Sequence, residues 1–329
     1  MKDLDRRVCT APMMDYTDRH CRYLMRLLSP SVLLYTEMIT ASAIVRGDGR
    51  RLLSYDPAEH PVALQLGGSD PRELAQAARI GADFGYDEIN LNCGCPSDRV
   101  QSGRFGACLM GSAEQVAECV ESMRAAVDLP VTVKCRIGIE PRPVGHENDY
   151  ETLSHFVRTV VSAGCDVFIV HARIAVLRGL SPKENREIPP LRYDDVARLH
   201  AEFPGQRFVL NGGLQTRTHI LRELERFDGV MIGREAYANP YLLAELHRDL
   251  VAPDAPLPAR QSVLAQYGRY VDDVLGRGER LAPLLRPLHG LYAGLPGVRS
   301  WRRYLSEQAT GVRSGADILQ GAMRIVAAA

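Results

Sequence analysis

The segment Asn90-Leu91-Asn92-Cys93-Gly94-Cys95-Pro96-Ser97 contains two thiols, and one of them is placed for chemistry. Cys95 lies in a Gly-Cys-Pro turn directly after a strand-like run. A free cysteine titrates near pH 8.5, so at about pH 7 it is mostly thiol and can donate a proton. Cys93 lies nearer the strand and is expected to pack in the core. Packing in the core is also the alternative for Cys95.

Two other segments have the composition of a phosphate site, Asn211-Gly212-Gly213 and Gly233-Arg234. Each follows a strand-like run late in the chain. In barrels of alternating strands and helices, the last two such loops often hold a phosphate, because backbone N–H groups point outward and an arginine can pair with the oxygens. The alternative is that these are ordinary turn glycines.

Lys134 and Gln65 also end strand-like runs, and they would reach the polar edge of a bound ring system. A cation beside the N1–O2 edge of a flavin stabilises the negative charge of the reduced form. Together with a phosphate pocket, these residues favour a flavin nucleotide as the ligand. A structural salt bridge is the alternative role for Lys134.

The elements that must position these residues are eight short β-branched runs, which alternate with longer amphipathic stretches. The runs cover residues 8–11, 33–36, 62–66, 88–92, 131–136, 167–171, 208–211 and 229–232. The clearest helical stretches cover residues 71–84, 113–127, 150–163 and 217–226. This alternation is typical of parallel βαβ units and predicts an α/β fold, a (β/α)8 TIM barrel. A doubly wound sheet is the alternative, although no Gly-x-Gly-x-x-Gly follows the first strand.

Every predicted strand ends in a polar group or a glycine, where a barrel of this kind assembles its active site. The eight ends carry Pro12-Met13-Met14, Glu37, Gln65, Asn92, Lys134, His171, Asn211-Gly212-Gly213 and Gly233-Arg234. Eight such ends together favour a binding site over unrelated turns.

The strand pattern stops after Tyr241, and a proline-rich linker follows at 252–258. From about residue 261, apolar residues recur at helical spacing, and prolines divide the region into short helices. We therefore predict a barrel domain over residues 1–250 and a helical domain over residues 260–329.

The charge of the chain is unevenly distributed, although the total of 40 basic and 40 acidic residues is neutral. Residues 260–329 carry ten arginines and five acidic residues, and the preceding residues carry the opposite excess. A segregated basic module is expected of a protein that binds a polyanion. The alternative is a solvated helical face.

Composition excludes several classes of protein, among them disordered, fibrous and membrane proteins. With 46% hydrophobic and 24% charged residues, the chain is neither disordered nor fibrous. It has no apolar run long enough for a membrane span or a signal peptide, so we expect a cytoplasmic protein without a membrane partner. The eight cysteines form no Cys-x-x-Cys pair and no zinc spacing, so we expect reduced thiols and no metal.

At the level of whole motifs, the chain resembles the flavin-dependent tRNA-dihydrouridine synthases, close to the bacterial A-type enzymes. The resemblance runs from about Cys9 to Tyr304. It rests on blocks at 11–20 (APMMDYTDRH), 60–68 (HPVALQLGG), 92–101 (NCGCPSDRVQ), 171–173 (HAR), 180–191 (LSPKENREIPPL), 228–237 (DGVMIGREAY) and 301–307 (WRRYLSE). Cys93 departs from the pattern, since an aliphatic residue is more usual there.

The resemblance implies FMN bound in the barrel and reduced by NADPH, hydride transfer to C6 of a D-loop uracil, and protonation of C5 by Cys95. It suggests tRNA positions 20 and 20a. Residues that match flavin-binding positions are Pro12, Met13, Met14, Gln65, Lys134, His171, Asn211, Gly212, Gly213, Gly233 and Arg234. Residues that match RNA contacts are Asn92 at the uracil, Lys183 and Arg186 at the target nucleotide, and Arg302 and Arg303 in the helical domain.

Two rival functions remain open on the residues alone. A flavin oxidoreductase acting on free pyrimidines would share the barrel and the acid, but it would not need the basic tail, Lys183 or Arg186. A non-catalytic RNA-binding flavoprotein would keep the tail but would not need Cys95. We expect a monomer that binds tRNA, and we assign no role to residues 140–149.

Overall fold

The structure is a computed structural model that describes residues 4–141, 149–309 and 314–327; of the segment 140–149, residues 142–148 lie outside the described part. Within these ranges the strands are β1 (Val8–Thr10), β2 (Leu34–Thr40), β3 (Val62–Gly67), β4 (Glu88–Cys93), β5 (Val131–Arg136), β6 (Ile139–Glu140), β7 (Val167–His171), β8 (Ala175–Val176), β9 (Arg207–Asn211) and β10 (Gly229–Ile232).

Eight of these strands form one parallel sheet in the order β1-β10-β9-β7-β5-β4-β3-β2. The two end strands meet through a parallel bridge between Cys9 and Leu33, supported by a hydrogen bond from Thr10 N to Leu33 O at 3.0 Å. The sheet therefore curls into the predicted (β/α)8 TIM barrel, and β6 pairs with β8 in a separate small ribbon.

The helices follow the predicted alternation and then continue into a helical C-terminal region, as predicted. They are α1 (Arg19–Leu28), α2 (Ala41–Arg46), α3 (Gly49–Leu52), α4 (Pro71–Phe84), α5 (Asp98–Ser102), α6 (Ala113–Ala126), α7 (Asp149–Ser162), α8 (Tyr193–Glu202), α9 (Arg217–Leu224), α10 (Arg234–Ala238), α11 (Tyr241–Leu250), α12 (Arg260–Gly276), α13 (Leu281–Leu285), α14 (Val298–Gln308) and α15 (Gly315–Ala327).

Local sequence explains the best-defined of these helices. The side chain of Asp70 accepts a hydrogen bond from Glu73 N and caps α4, Pro71 occupies its first turn, and Gly85 ends it with a φ of 97°. Four of the predicted strand ends lie inside their strands instead: Glu37, Gln65, Asn92 and Lys134, because β2 continues to Thr40, β3 to Gly67, β4 to Cys93 and β5 to Arg136. Glu37 differs from the other three in lying at a register shift between Tyr35 and Met38.

The chain divides into two compact units. One comprises Met1–Met13, Leu33–Tyr55 and His60–Gly233 and contains the barrel strands; the other comprises Met14–Val32, Asp56–Glu59 and Arg234–Ala329. The second unit has its own core, in which Leu24 and Leu28 of α1 are buried together with Val263, Tyr267 and Trp301. The apolar face of α1 therefore belongs to the helical unit, which begins again at Arg234 and so differs from the division predicted at residues 250 and 260.

No helix in the part of the chain that the structure describes is both long enough and apolar enough to cross a membrane.

Candidate functional site

Strand register brings most of the predicted polar groups together at the carboxyl ends of the barrel strands. Asn92 on β4 is the Cα partner of Lys134 on β5, and His171 on β7 is the partner of Asn211 on β9. Lys134 also reaches across the barrel end, because its Nζ donates to Asn211 Oδ1 at 3.1 Å. Four side chains that lie far apart in the sequence therefore line one end of the barrel.

Gln65 belongs to the same cluster through a row of amides. Its Nε2 donates to Asn90 Oδ1 at 2.7 Å, and its Oε1 accepts from Asn92 Nδ2 at 2.8 Å. Asn90 is fully buried and was not among the predicted site residues, because it lies inside the strand run rather than at its end. Alternation along β4 puts Asn90 and Asn92 on one face, which is the signal that could have found it.

Cys95 is held in a turn built by Asn92. The side-chain Oδ1 of Asn92 accepts hydrogen bonds from the backbone N–H groups of Gly94 at 3.1 Å and Cys95 at 3.0 Å. The Cys95 carbonyl accepts from Ala107 N at 2.9 Å, and its Sγ lies 3.4 Å from Ser97 Oγ. The thiol is half-buried, so the turn holds it while leaving it accessible.

Cys93 has a different environment, as expected. It is the Cα partner of Cys135 and is fully buried. Burial raises the pKa of the Cys93 thiol well above its usual value, because a thiolate would lose its hydration there. Of the two neighbouring cysteines, only Cys95 is accessible to a substrate.

Lys134 is a cation in a desolvated position. Burial, and then the nearby charge of Arg136, lowers its pKa to about 8. Its observed partner is the amide oxygen of Asn211 rather than a carboxylate, and Asn211 is itself fixed by donation from Nδ2 to Met231 O at 2.7 Å. Within the part of the chain that the structure describes, Lys134 therefore forms a hydrogen bond to an amide and not the alternative salt bridge.

His171 is a neutral imidazole in this site. Burial lowers its pKa well below the usual value, and the positive charges of Arg136 and Lys134 add to the effect. The ring lies against the turn after β9, since a Cβ added to Gly212 would lie 2.6 Å from His171 Cδ2. His171 can therefore donate or accept a hydrogen bond, but it brings no charge.

The two glycine-containing loops differ in why they need glycine. Gly212 and Gly213 adopt φ values of 110° and 71°, which L side chains rarely adopt, and Tyr193 OH fixes the turn by donating to Gly212 O at 2.5 Å. At Gly233 an added Cβ would meet only Ala11 Cβ at 3.6 Å and Met13 Sδ at 3.7 Å, which are ordinary contacts. The protein itself does not demand glycine at 233.

Arg136 was not predicted, although it follows Lys134 at strand spacing. Its Nε donates to Gly94 O at 3.1 Å, and one terminal nitrogen donates to Ile174 O at 3.1 Å and Asn185 O at 2.8 Å. The buried guanidinium thus ties the Cys95 turn to the segment after β7. Burial lowers the pKa of Arg136 to about 10.

Lys183 directly precedes a short helical turn, Glu184–Arg186, and Arg186 is the last residue of that turn; both side chains are exposed. Between them Asn185 is fully buried and clamps the segment, because its side chain accepts from Val176 N at 2.8 Å and donates to Val176 O at 2.9 Å. The segment presents two positive charges on a fixed base.

The remaining predicted cofactor residues lie next to positions in the sequence where one compact unit ends and the other begins. Pro12 and Met13 belong to the barrel unit and are half-buried, and Met13 packs against the barrel core. Met14 and Arg234 belong to the helical unit. Met14 is 53% exposed, and Arg234 is the exposed first residue of α10, directly after Gly233.

Arg302 and Arg303 lie on the exposed face of α14 in the helical unit. Trp301 beside them is fully buried and donates its indole N–H to Leu288 O at 2.9 Å. Arg302 Nε donates to the His289 carbonyl at 3.0 Å, and Arg303 Nε lies 3.9 Å from Glu307. Among the residues that the structure describes, neither arginine is neutralised in a buried ion pair.

Comparison with known proteins shows which family the chain is similar to. The family model for dihydrouridine synthase (Dus) matches residues 9–326. A tRNA-dihydrouridine(20/20a) synthase of Shewanella oneidensis is 51% identical over 99% of this chain and 95% of its own length. Proteins of the same name from Synechocystis sp. and Escherichia coli (strain K12) are 53% and 51% identical, over 95% and 98% of this chain and 92% of their own lengths. The chain that carries this barrel-end cluster belongs to the dihydrouridine synthase family.

Proposed function

We propose that this protein reduces the C5=C6 bond of uridines 20 and 20a in the D-loop of tRNA, with FMN as bound cofactor and NADPH as reductant. The observation that carries the proposal is the near full-length similarity to proteins named for that reaction, combined with an accessible thiol beside a cationic, amide-lined barrel end. When bound and reduced by NADPH, FMN supplies the hydride for C6.

The residues at the barrel end fit a flavin nucleotide. At Gly233 an added Cβ would make only ordinary contacts with the protein, and Lys134 is a half-buried cation whose Nζ donates to an amide oxygen. The residues we assign to FMN are Pro12, Met13, Met14, Gln65, Lys134, His171, Asn211, Gly212, Gly213, Gly233 and Arg234. In this assignment Lys134 places positive charge at the polar edge of the ring, and Arg234 with the glycine N–H groups binds the phosphate.

Cys95 acts as the general acid that protonates C5. Its side chain is half-buried in a turn whose backbone N–H groups are held by Asn92, so the Sγ–H bond can be presented at a defined place. Arg136 reinforces that turn through Gly94 O. Proton donation is expected to fail without the thiol, whereas cofactor binding is not.

Asn92 contributes to the uracil as a donor only. Its Oδ1 already accepts two backbone N–H groups, and one N–H of its amide is given to Gln65. A carboxamide has two N–H donors, so one remains for a carbonyl oxygen of the base. The structure of the turn therefore restricts how Asn92 can recognise uracil.

The target uridine must leave the base stack before its ring can enter the barrel, so the RNA has to be held on both sides of it. We assign this grip to Lys183 and Arg186 at the nucleotide and to Arg302 and Arg303 at more distant phosphates. We further propose that the protein acts as a monomer in the cytoplasm, where tRNA is found.

The test uses the purified protein and tRNA from a strain that lacks the gene, so that other tRNA modifications are retained. We expect a flavin absorbance spectrum, NADPH-dependent formation of dihydrouridine at positions 20 and 20a measured by mass spectrometry, and no turnover of free uracil or orotate. Turnover of the free pyrimidines without turnover of tRNA would instead assign the protein to small-molecule oxidoreductases.

A further inference from the structure

A continuous row of hydrogen-bonded side chains runs along β4 to the Cys95 turn. Its first member, Glu88, is fully buried and accepts four hydrogen bonds. Arg6 donates two of them to Oε2, at 3.0 and 2.5 Å. Tyr35 OH and Thr132 Oγ1 donate the other two to Oε1, at 2.5 and 2.7 Å. Both Glu88 oxygens thus act only as acceptors.

Every link after Glu88 has the same direction. Thr132 gives its only proton to Glu88, so its oxygen can only accept from Asn90 Nδ2, at 2.8 Å. Asn90 Oδ1 then accepts from Gln65, and Gln65 Oε1 accepts from Asn92. The row ends where Asn92 Oδ1 accepts from the N–H groups of Gly94 and Cys95.

The two ends impose one polarity on the whole row. The carboxylate of Glu88 can only accept, and the backbone N–H of Cys95 can only donate. If any amide between them turned over, it would oppose donor to donor or acceptor to acceptor in a buried setting, which is costly. The orientation of Gln65 and Asn92 therefore depends on a carboxylate at the opposite end of β4.

We propose that Glu88 and Thr132 are positioning residues that orient the amides of Gln65 and Asn92 and thereby hold the turn of Cys95. The consequence for uridine reduction rests on the proposed function, in which Cys95 is the acid. The effect on the Cys95 turn is a property of the resting protein and can be measured without catalysis.

The test compares two variants that each remove one hydroxyl from the same oxygen of Glu88. Thr132→Val interrupts the row, whereas Tyr35→Phe removes a donor that lies outside it. The rate of Cys95 alkylation by iodoacetamide is measured on the full-length protein as purified, with the modified peptide quantified by mass spectrometry. We expect Thr132→Val to raise the rate of Cys95 alkylation about 2- to 10-fold, which corresponds to the net free energy of one hydrogen bond. We expect Tyr35→Phe and Thr132→Ser to leave that rate unchanged.

Melting curves separate this effect from simple destabilisation, because both hydroxyl deletions are expected to lower the melting temperature to a similar extent. Equal alkylation rates in Thr132→Val and wild type, or an equal rise in Tyr35→Phe, would overturn the proposal. Should Thr132→Val fail to fold, Glu88→Gln carries the same test. In this variant the amide oxygen of Gln must face Arg6, because a guanidinium can only donate. The NH₂ group of Gln then faces Thr132 and opposes the polarity of the row, so we expect a higher rate of Cys95 alkylation.

Failure of this proposal and failure of the proposed function give different results. If Cys95→Ala retained uridine reduction, the acid assignment would be lost, yet the alkylation rates of the Thr132 variants would still decide whether the row holds the turn. If alkylation did not respond while Cys95→Ala was inactive, only the positioning role would be lost.

Discussion

At the scale of single residues, burial distinguishes chemically identical groups. Cys93 and Cys95 are two residues apart, but one is enclosed between strands and the other lies half-exposed in a turn. A nucleic acid substrate can reach only the second. The strand periodicity of two, interrupted by Gly94 and Pro96, produces the difference.

Cys95→Ala is expected to bind FMN and accept electrons from NADPH but to lose uridine reduction by about 10²- to 10⁴-fold, the usual cost of removing a general acid. Cys93→Ala should retain activity, because that thiol faces the core. The measurement is single-turnover dihydrouridine formation with flavin spectra recorded in parallel. Equal losses in both variants would exclude Cys95 as the specific acid.

The lowered pKa of Lys134 predicts that cofactor binding depends on pH. Its pKa is lowered to about 8, so in the absence of ligand its positive charge is lost as the pH rises through that value. If this charge stabilises FMN, affinity should be greatest below about pH 8 and weaken towards pH 9. Fluorescence titration at several pH values measures this.

Lys134→Met is the control for that dependence. It should bind FMN more weakly than wild type at pH 7, and its affinity should be flat between pH 7 and 9. A profile in the variant that still falls like that of wild type would assign the titration to another group.

At the scale of elements, the turns after β9 and β10 have distinct requirements. Gly212 is needed by the backbone itself, because its φ is positive and His171 leaves no room for a side chain. Gly233 is not needed by the backbone, which points to a ligand as the reason for glycine there. The proposed FMN site therefore predicts that replacing Gly212 affects folding, whereas replacing Gly233 affects cofactor binding alone.

Gly233→Ala should leave the melting temperature close to that of wild type and weaken FMN retention, because the new methyl group would occupy space assigned to the cofactor. Gly212→Ala should lower the free energy of unfolding by about 1–3 kcal/mol through backbone strain and contact with His171. Dialysis followed by flavin quantification, together with thermal melts, measures both. Full FMN retention in Gly233→Ala would show that the phosphate loop is assigned wrongly.

At the scale of the whole molecule, positive charge is concentrated in the helical C-terminal region while the chain as a whole is neutral. On α14, burial of Trp301 and Leu305 turns Arg302 and Arg303 outward. The contact of Arg303 with Glu307 is long and exposed, and pairs of this kind contribute little to stability. We therefore expect the two arginines to bind phosphates and to contribute little to the stability of the fold.

Reversal of Arg302 and Arg303 to Glu should flatten the log–log salt slope of tRNA binding by roughly 1.8, at about 0.9 per duplex phosphate contact, or less for single-stranded contacts. FMN content and NADPH oxidation should not change, and neither should the melting temperature. Binding is measured at several salt concentrations.

The matched control reverses Arg72 and Arg79, which are exposed on α4 of the barrel unit and make the same change in net charge. It should leave the salt slope as in wild type. If the α14 variant instead lost thermal stability and kept the wild-type slope, Arg302 and Arg303 would be structural residues.

Much of this molecule follows from local sequence. Alternating β-branched runs and amphipathic stretches predict the barrel, because strand and helix periodicity are properties of neighbouring residues. Even single boundaries such as Asp70, Pro71 and Gly85 follow from capping chemistry. The motifs from Cys9 onward predict the family, since many short blocks agree in order along nearly the whole chain.

Only the tertiary structure decided which residues are hydrogen-bond and packing partners. Asn90, Thr132 and Glu88 are unremarkable in the sequence, and they form a directed row with Gln65 only because β3, β4 and β5 bring these residues into register. Arg136 reaches Gly94 and Asn185 for the same reason, and α1 joins the helical unit through the burial of its apolar face. Hydrogen bonds and burial join residues that are distant along the chain, so no local pattern specifies their partners.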